Sequence, residues 1–170
     1  MKRCFKQILL AGLLFLALDA VSQTLYENDS KVYSFTMPAN YTRMTSNHQR
    51  NEFVFVERAD TTSLVVNVND RVYDKNNMEE FKKSSNEEIE TNYFNVLKAP
   101  KIMKRGELET YKDYTIFFHV THNVSNENEN NYMLTYLFYN KGKEVNFIFR
   151  TKAARLEKVL PRIEAIVTSV

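Results

Sequence analysis

Two segments in the second half of the chain are apolar on both faces when they are laid out as β-strands. In residues 114–122, one face carries Ile116 and Phe118, and the other still carries Phe117 and His119. Residues 132–139 show the same pattern, with aromatic and aliphatic side chains on both faces. A strand face that contacts water is normally polar. The sheet that contains these strands must therefore be covered on both sides.

The spacing of apolar residues predicts seven strands and two helices. A period of two indicates strands over 32–37, 52–57 and 63–69, and later over 102–109, 114–122, 132–139 and 144–150. Steps of three and four predict a helix from Asn77 to Val96, with Ser85 on its buried stripe, and a last helix that begins near Pro161. The order of three strands, helix, four strands, helix is that of an α+β domain. We expect an antiparallel sheet sandwiched between the two helices, one on each face.

The first 22 residues have the three parts of a secretory signal peptide. Basic side chains come first, an apolar run from Ile8 to Leu18 follows, and Ala20 and Ser22 supply the small residues of a cleavage site. The apolar run is shorter than the ~20 residues that a membrane-spanning helix needs. We therefore expect residues 1–22 to be removed. The mature chain would be one domain (23–170), periplasmic or secreted, with no integral membrane segment.

The mature chain would contain no cysteine, because the one cysteine lies in the basic start of the leader. A hydrophobic core rather than disulfides must then hold the domain together. Removing Lys2, Arg3, Lys6 and Asp19 from the 23 basic and 21 acidic residues leaves 20 of each. A net charge near zero provides no general attraction to nucleic acid, so we expect no nucleic-acid partner.

No combination of residues indicates catalysis or a bound cofactor. His119 and His122 are three apart on a predicted strand, so they lie on opposite faces and cannot share a metal ion. The mature chain has no Gly-x-Ser-x-Gly motif, and its two glycines are too few for a phosphate-binding loop. Glu107 and Glu109 share a strand face, which leaves a hydrolase with a carboxylate pair as an alternative. We expect a protein that is not an enzyme and has neither a metal site nor a cofactor.

The aromatic content supplies the remaining indication of a site. Tyrosines are more numerous than a core requires, because each buried hydroxyl needs a hydrogen-bond partner. They could simply surround the core with their hydroxyls in water. Alternatively, a groove between sheet and helix binds a partner, with apolar walls and a few polar groups as in known ligand pockets. The residues predicted to line that groove are Phe117, His119, Tyr139 and Arg150.

Two short segments resemble a known family. The segment YSFTMPANY (33–41) resembles the opening of PsbP-like domains, in which an extended strand is followed by proline, a small residue and an aromatic residue. The closing LPRIEAIVTSV (160–170) resembles the last helix of those domains, and the order of elements is also similar. The fold is shared with the nuclear Ran-release factor and with bacterial envelope proteins. The resemblance implies a non-enzymatic domain that binds or steadies a partner.

These observations lead to two hypotheses about function. The first is an exported, non-catalytic binding or accessory protein of the cell envelope that contacts an unknown protein partner. The second is a carrier of a small apolar ligand in the groove between sheet and helix.

Overall fold

The computed structural model describes residues 22–46, 51–69, 82–92, 100–109, 115–126 and 129–170. The strands are β1 (Gln23–Glu27), β2 (Ser34–Pro38), β3 (Thr42–Met44), β4 (Asn51–Glu57), β5 (Thr62–Asn69), β6 (Lys101–Glu109), β7 (Thr115–Asn126), β8 (Glu129–Asn140) and β9 (Lys143–Lys152). The helices are α1 (Asn86–Asn92), between β5 and β6, and α2 (Leu156–Thr168), which follows a 3₁₀ turn (Ala153–Arg155). All strand pairs are antiparallel.

The strands form two sheets rather than the single sheet that we expected. One sheet contains β1 and β2, and the other has the order β3-β4-β5-β9-β8-β7-β6. The seven predicted strands are present, and the α+β class is confirmed. The sequence pattern did not predict β1 or β3. β3 has only three residues, and β1 is exposed except at Tyr26, so neither shows an apolar period. The predicted leader, except for Ser22, lies outside the described residues.

One face of the large sheet is covered by α2 together with the β1–β2 hairpin. Residues from β2 and α2 belong to the same buried cluster as residues from β4, β5, β7, β8 and β9. A single helix cannot cover this face, because 13 residues span roughly 20 Å whereas seven strands span roughly 30 Å. The expectation of one helix on each face was therefore wrong for this face. The hairpin supplies the missing cover.

Aromatic rings hold the hairpin against the sheet. Phe35 of β2 is fully buried, and its ring centroid lies 5.1 Å from that of Phe147 on β9 and 5.7 Å from that of Phe53 on β4. Tyr26 of β1 stacks on Phe35 at 5.8 Å and meets Phe55 edge-on at 4.8 Å. Edge-to-face pairs of this kind add to the free energy gained from burying apolar area. The hairpin is thus part of the main core.

Helix α2 begins at Leu156, five residues before the predicted start at Pro161. Proline within a helix removes one backbone hydrogen bond, which is why the sequence suggested a boundary there. In the structure both Pro161 and Glu157, the residue whose carbonyl loses its donor, are exposed. The buried side of the helix carries Val159, Ile163, Ile166 and Val167. Packing of this side therefore overrides the local cost of the proline.

Helix α1 begins with a capping box, a feature that the sequence analysis missed. The Ser85 hydroxyl accepts the Glu88 N–H at 3.2 Å, and the Glu88 carboxylate accepts the Ser85 N–H at 2.7 Å. Ser85 is exposed and is not the buried packing residue that the periodicity indicated. Asn77, where the helix was predicted to begin, lies outside the described residues. The helix packs against β6, where Glu90 accepts the backbone N–H of Ile102.

Candidate functional site

The strand register places all four predicted binding residues on the same face of the large sheet. Phe117 and His119 lie opposite Leu137 and Thr135 of β8. Tyr139 and Met133 lie on the same face of β8 as Leu137, because even numbers of residues separate them. Arg150 of β9 lies opposite Met133. The four side chains therefore project to the side opposite the main core. This is the outer face of the sheet.

The register separates Arg150 from the other three residues. Tyr139 lies opposite Glu144, whereas Arg150 lies six residues further along β9, which corresponds to roughly 20 Å. Phe117 and Tyr139 are diagonal neighbours, and His119 is two residues from Phe117. A single small ligand cannot contact both Tyr139 and Arg150.

Tyr139 belongs to a separate polar cluster around a buried carboxylate. Its hydroxyl donates to Glu144 Oε2 at 3.0 Å. The other oxygen, Oε1, accepts hydrogen bonds from Asn69 and Asn146, each at 2.9 Å. Glu144 is only 8% exposed, so these donors replace water around its charge. The Tyr139 hydroxyl thus helps to stabilise a buried carboxylate.

Phe117 and His119 line an open cleft of about 230 Å³ at the edge of the large sheet. The edge strand β6 provides one wall, and Lys82, which precedes α1, provides part of another. The cleft is lined by Lys82, Arg105, Gly106, Glu107, Phe117, Phe118 and His119. We call it the edge cleft.

Two cross-strand pairs of β6 and β7 line the edge cleft. Arg105 lies opposite His119, and Glu107 lies opposite Phe117. Gly106, between the two β6 residues, lies opposite Phe118 on the core side. A Cβ at position 106 would lie 3.0 Å from the Phe118 ring, so the glycine allows that ring to cover the edge strand. This close approach keeps β6 and β7 in register beneath the charged pairs.

The electrostatics of the edge cleft combine fixed charges with a neutral imidazole. Lys82 Nζ lies 3.0 Å from Glu107 Oε1 and 4.8 Å from the centre of the Phe117 ring. Burial, with a smaller contribution from the charge of Arg105, lowers the pKa of His119 to about 4. His119 is therefore neutral at pH 7, with a proton on one of its two ring nitrogens. Arg105 is exposed at the rim, where it can pair with an incoming anion.

The sequence nominated two of the cleft residues and missed Lys82, Arg105 and Glu107 as members of the site. In the sequence, Arg105 belongs to a basic segment with Lys98, Lys101 and Lys104. Lys104 projects to the other side, 5.5 Å from the Phe118 ring, and Lys98 lies outside the described residues. The sequence does contain one indication of this pairing. Arg105 and Glu107 are two residues apart on their strand, and Phe117 and His119 are two residues apart on theirs, so each pair lies on one strand face. Only the register of β6 with β7 shows that these two pairs lie opposite each other.

The described residues contain no group of three or more His, Cys, Asp or Glu that could hold a metal ion. His119 and His122 lie on opposite faces of β7, as the spacing predicted, with His122 beside Tyr132 on the core side. No helix in the described ranges is long and apolar enough to cross a membrane.

Comparison with known proteins identifies the fold. Cyanobacterial PsbP (CyanoP) from Synechocystis sp. PCC 6803 superposes with a TM-score of 0.68 at 13% identity, covering 88% of this chain and 91% of that one. The Ran-binding protein Mog1p of Saccharomyces cerevisiae gives 0.57 at 12% identity, with coverages of 88% and 95%. A putative regulator of unknown function from Pseudomonas aeruginosa gives 0.52 at 12% identity, with coverages of 87% and 95%.

No family model matches the chain, and a search of the curated proteins gives no match. At 11–13% identity, the structural similarity shows the fold and nothing more specific. The chain has the PsbP-like fold, and the resemblance noted in its sequence is confirmed at that level.

Proposed function

We propose that this PsbP-like domain is an exported, non-catalytic accessory protein of the cell envelope that contacts a protein partner through the edge cleft. The observation that carries the proposal is the composition of that cleft. It combines an aromatic floor, a neutral histidine and a rim of opposite charges in an open site at a sheet edge. Protein interfaces are enriched in aromatic residues and arginine.

The size of the edge cleft favours a protein partner over a free small molecule. Small-molecule sites usually enclose ~300–1,000 Å³ and bury most of the ligand. The edge cleft is smaller, at about 230 Å³, and it is open to solvent. It matches a single protruding side chain of a partner, held by Arg105 if that side chain is acidic. The similar fold of a protein described as Ran-binding is compatible with such a role.

A carrier of a small apolar ligand is the second candidate. The outer sheet face provides the observation in its favour, because Val65, Leu137 and Ile148 there are only partly buried. Against it, Tyr139 and Arg150 lie too far apart to line one pocket with Phe117. Native mass spectrometry of protein purified from its own envelope separates the two candidates. A retained small molecule would favour the carrier.

The proposal is tested by replacing the exposed arginine of the edge cleft. We expect R105Q to reduce the yield of a specific partner in pull-downs from envelope extract by about tenfold, because a charged hydrogen bond contributes ~1.5–3 kcal/mol. R150Q is the matched control, since it removes the same charge from an exposed position of the same sheet face. The melting temperature of both variants should stay within a few degrees of the parent.

Equal yields from R105Q and the parent would contradict the proposal. Loss of yield in R150Q but not in R105Q would move the contact to the far end of β9. Loss in both variants would indicate a charge effect that is not specific to the edge cleft.

Export predicts that the protein recovered from the envelope or medium begins at Gln23. The position is compatible with the fold, because β1 begins at Gln23 and cleavage after Ser22 leaves every β1–β2 residue pair intact. Intact mass measurement of the recovered protein tests this prediction. A chain that retains Met1 in that fraction would contradict it.

A further inference from the structure

A second charged site lies between the β4–β5 turn and the start of α2. The Asp60 carboxylate is 6% exposed and is surrounded by three cations. Lys158 Nζ lies 2.8 Å from Oδ1, Arg162 Nη1 lies 3.3 Å from Oδ2, and Arg155 Nη1 lies 3.9 Å from Oδ1. A hydrogen bond from Lys158, supported by the charges of all three cations, holds the pKa of Asp60 below its usual range. Asp60 is thus ionised at neutral pH.

Three cations at this site share the single carboxylate of Asp60. Glu57, an acidic residue in the same turn, has its two carboxylate oxygens bonded to the backbone N–H groups of Ala59 and Asp60. Each arginine carries five N–H donors, and one carboxylate cannot satisfy them all. The side chains of Arg155 and Lys158 are 48% and 60% exposed, so their remaining donors reach solvent. Asp60 therefore positions a set of cations that is available to another anion.

A buried tyrosine hydroxyl lies at the same place. Tyr41 is 6% exposed, and its hydroxyl makes no hydrogen bond of acceptable geometry with any described residue. Burial raises the pKa of Tyr41 to about 12, and the charges of Arg162, Glu57 and Asp60 act on this hydroxyl to a smaller extent. The hydroxyl consequently remains protonated and can donate to an acceptor that enters beside Arg162.

An open groove continues from Arg162 along α2. It has a volume of about 370 Å³ and lies between the ends of β1 and β2 and the helix. Pro38, Ala165 and Ile166 give it apolar walls, and Asn40 adds a polar group. The charged site and the groove share Arg162, so together they form one continuous surface. We call it the α2 surface.

We propose that the α2 surface binds an extended acidic peptide segment of a protein partner, with carboxylates on the cations and an apolar side chain in the groove. Arg155 and Arg162 are seven residues apart, roughly 10 Å along the helix axis. Asp60 contacts both arginines from within the fold, and the groove beside Arg162 extends the surface beyond the reach of a single anion. Residues i and i+3 of an extended segment are about 10 Å apart, so one segment can contact the cations and also enter the groove. The groove accounts for the apolar side chain. This surface is separate from the edge cleft, and either could exist without the other.

The test uses a synthetic hexapeptide of four glutamates and two leucines as the probe. We expect the chain from Gln23 to bind it, and R155Q/K158Q to weaken the affinity by at least about tenfold in isothermal titration at low salt. K83Q/K101Q is the matched control, because it removes two charges at exposed positions distant in sequence and should change the affinity less than twofold. If R155Q/K158Q unfolds, K158Q alone gives the same comparison, since Lys158 is the most exposed of the three cations.

Two further probes separate an acidic peptide from other anions. Sodium sulfate should not bind with comparable affinity, and phosphatidylglycerol vesicles should not retain the protein in sedimentation. Sulfate binding as tight as that of the peptide would overturn the proposal in favour of a site for isolated anions. Vesicle binding without peptide binding would assign the surface to a membrane. Equal losses in R155Q/K158Q and K83Q/K101Q, or no binding of the peptide, would also overturn it.

Discussion

Replacement of Phe35 by alanine is expected to lower the free energy of unfolding by about 3–5 kcal/mol, the range for a fully buried phenylalanine. The ring is fully buried, and it joins both strands of the hairpin to β4 and β9 through Tyr26, Phe53 and Phe147. Its removal leaves a cavity at the junction of the two sheets. Rings on either side of that cavity cannot collapse into it without moving a whole strand. Urea unfolding of the chain from Gln23 measures the loss.

Leu25 supplies the control for this prediction. It lies on the same hairpin, but its side chain is 67% exposed on the outer side. Leu25→Ala should change the free energy of unfolding by less than about 0.5 kcal/mol. A loss for Phe35→Ala close to that small value would mean that the hairpin does not dock on the sheet as described. The two-sheet core would then be wrong.

Replacement of Phe118 by alanine should also cost about 3–5 kcal/mol, and its neighbour Phe117 gives a matched comparison. Phe118 is 7% exposed, stacks on Tyr136 at 5.9 Å and covers Gly106, so no side chain from the edge strand can replace it. Phe117 faces the edge cleft and is partly exposed. Phe117→Ala should therefore cost only about 1–2 kcal/mol in urea unfolding.

The same pair of variants distinguishes stability from binding. Phe117→Ala should reduce partner yield in the pull-down more than its small loss of stability explains, because the ring forms the floor of the edge cleft. If Phe117→Ala destabilised the chain as much as Phe118→Ala, the outer face of β7 would be a second core. The edge cleft would then not be available to a partner.

The sequence alone determined the local features of this protein. A period of two identified β2 and the six strands from β4 to β9, because side chains in a strand alternate between faces whatever the strand pairs with. The Lys141-Gly142 pair between two predicted strands is a turn signal of the same local kind, and both residues have positive φ, 49° and 73°, as a two-residue hairpin turn of this type requires. Parity within one strand likewise placed Phe117 and His119 on one face. These features depend only on neighbouring residues.

The tertiary structure decided which of those faces meet and which elements cover them. Arg105 joins His119 only through the register of β6 with β7, and Asp60 meets Lys158 across 98 positions of the chain. The hairpin covers the sheet because α2 is too short to do so, a comparison that needs the order of seven strands. Pairing between distant segments is set by the fit of whole faces, and no local pattern records it. For that reason the sequence named two of the seven residues that line the edge cleft, while the α2 surface emerged only from the folded chain.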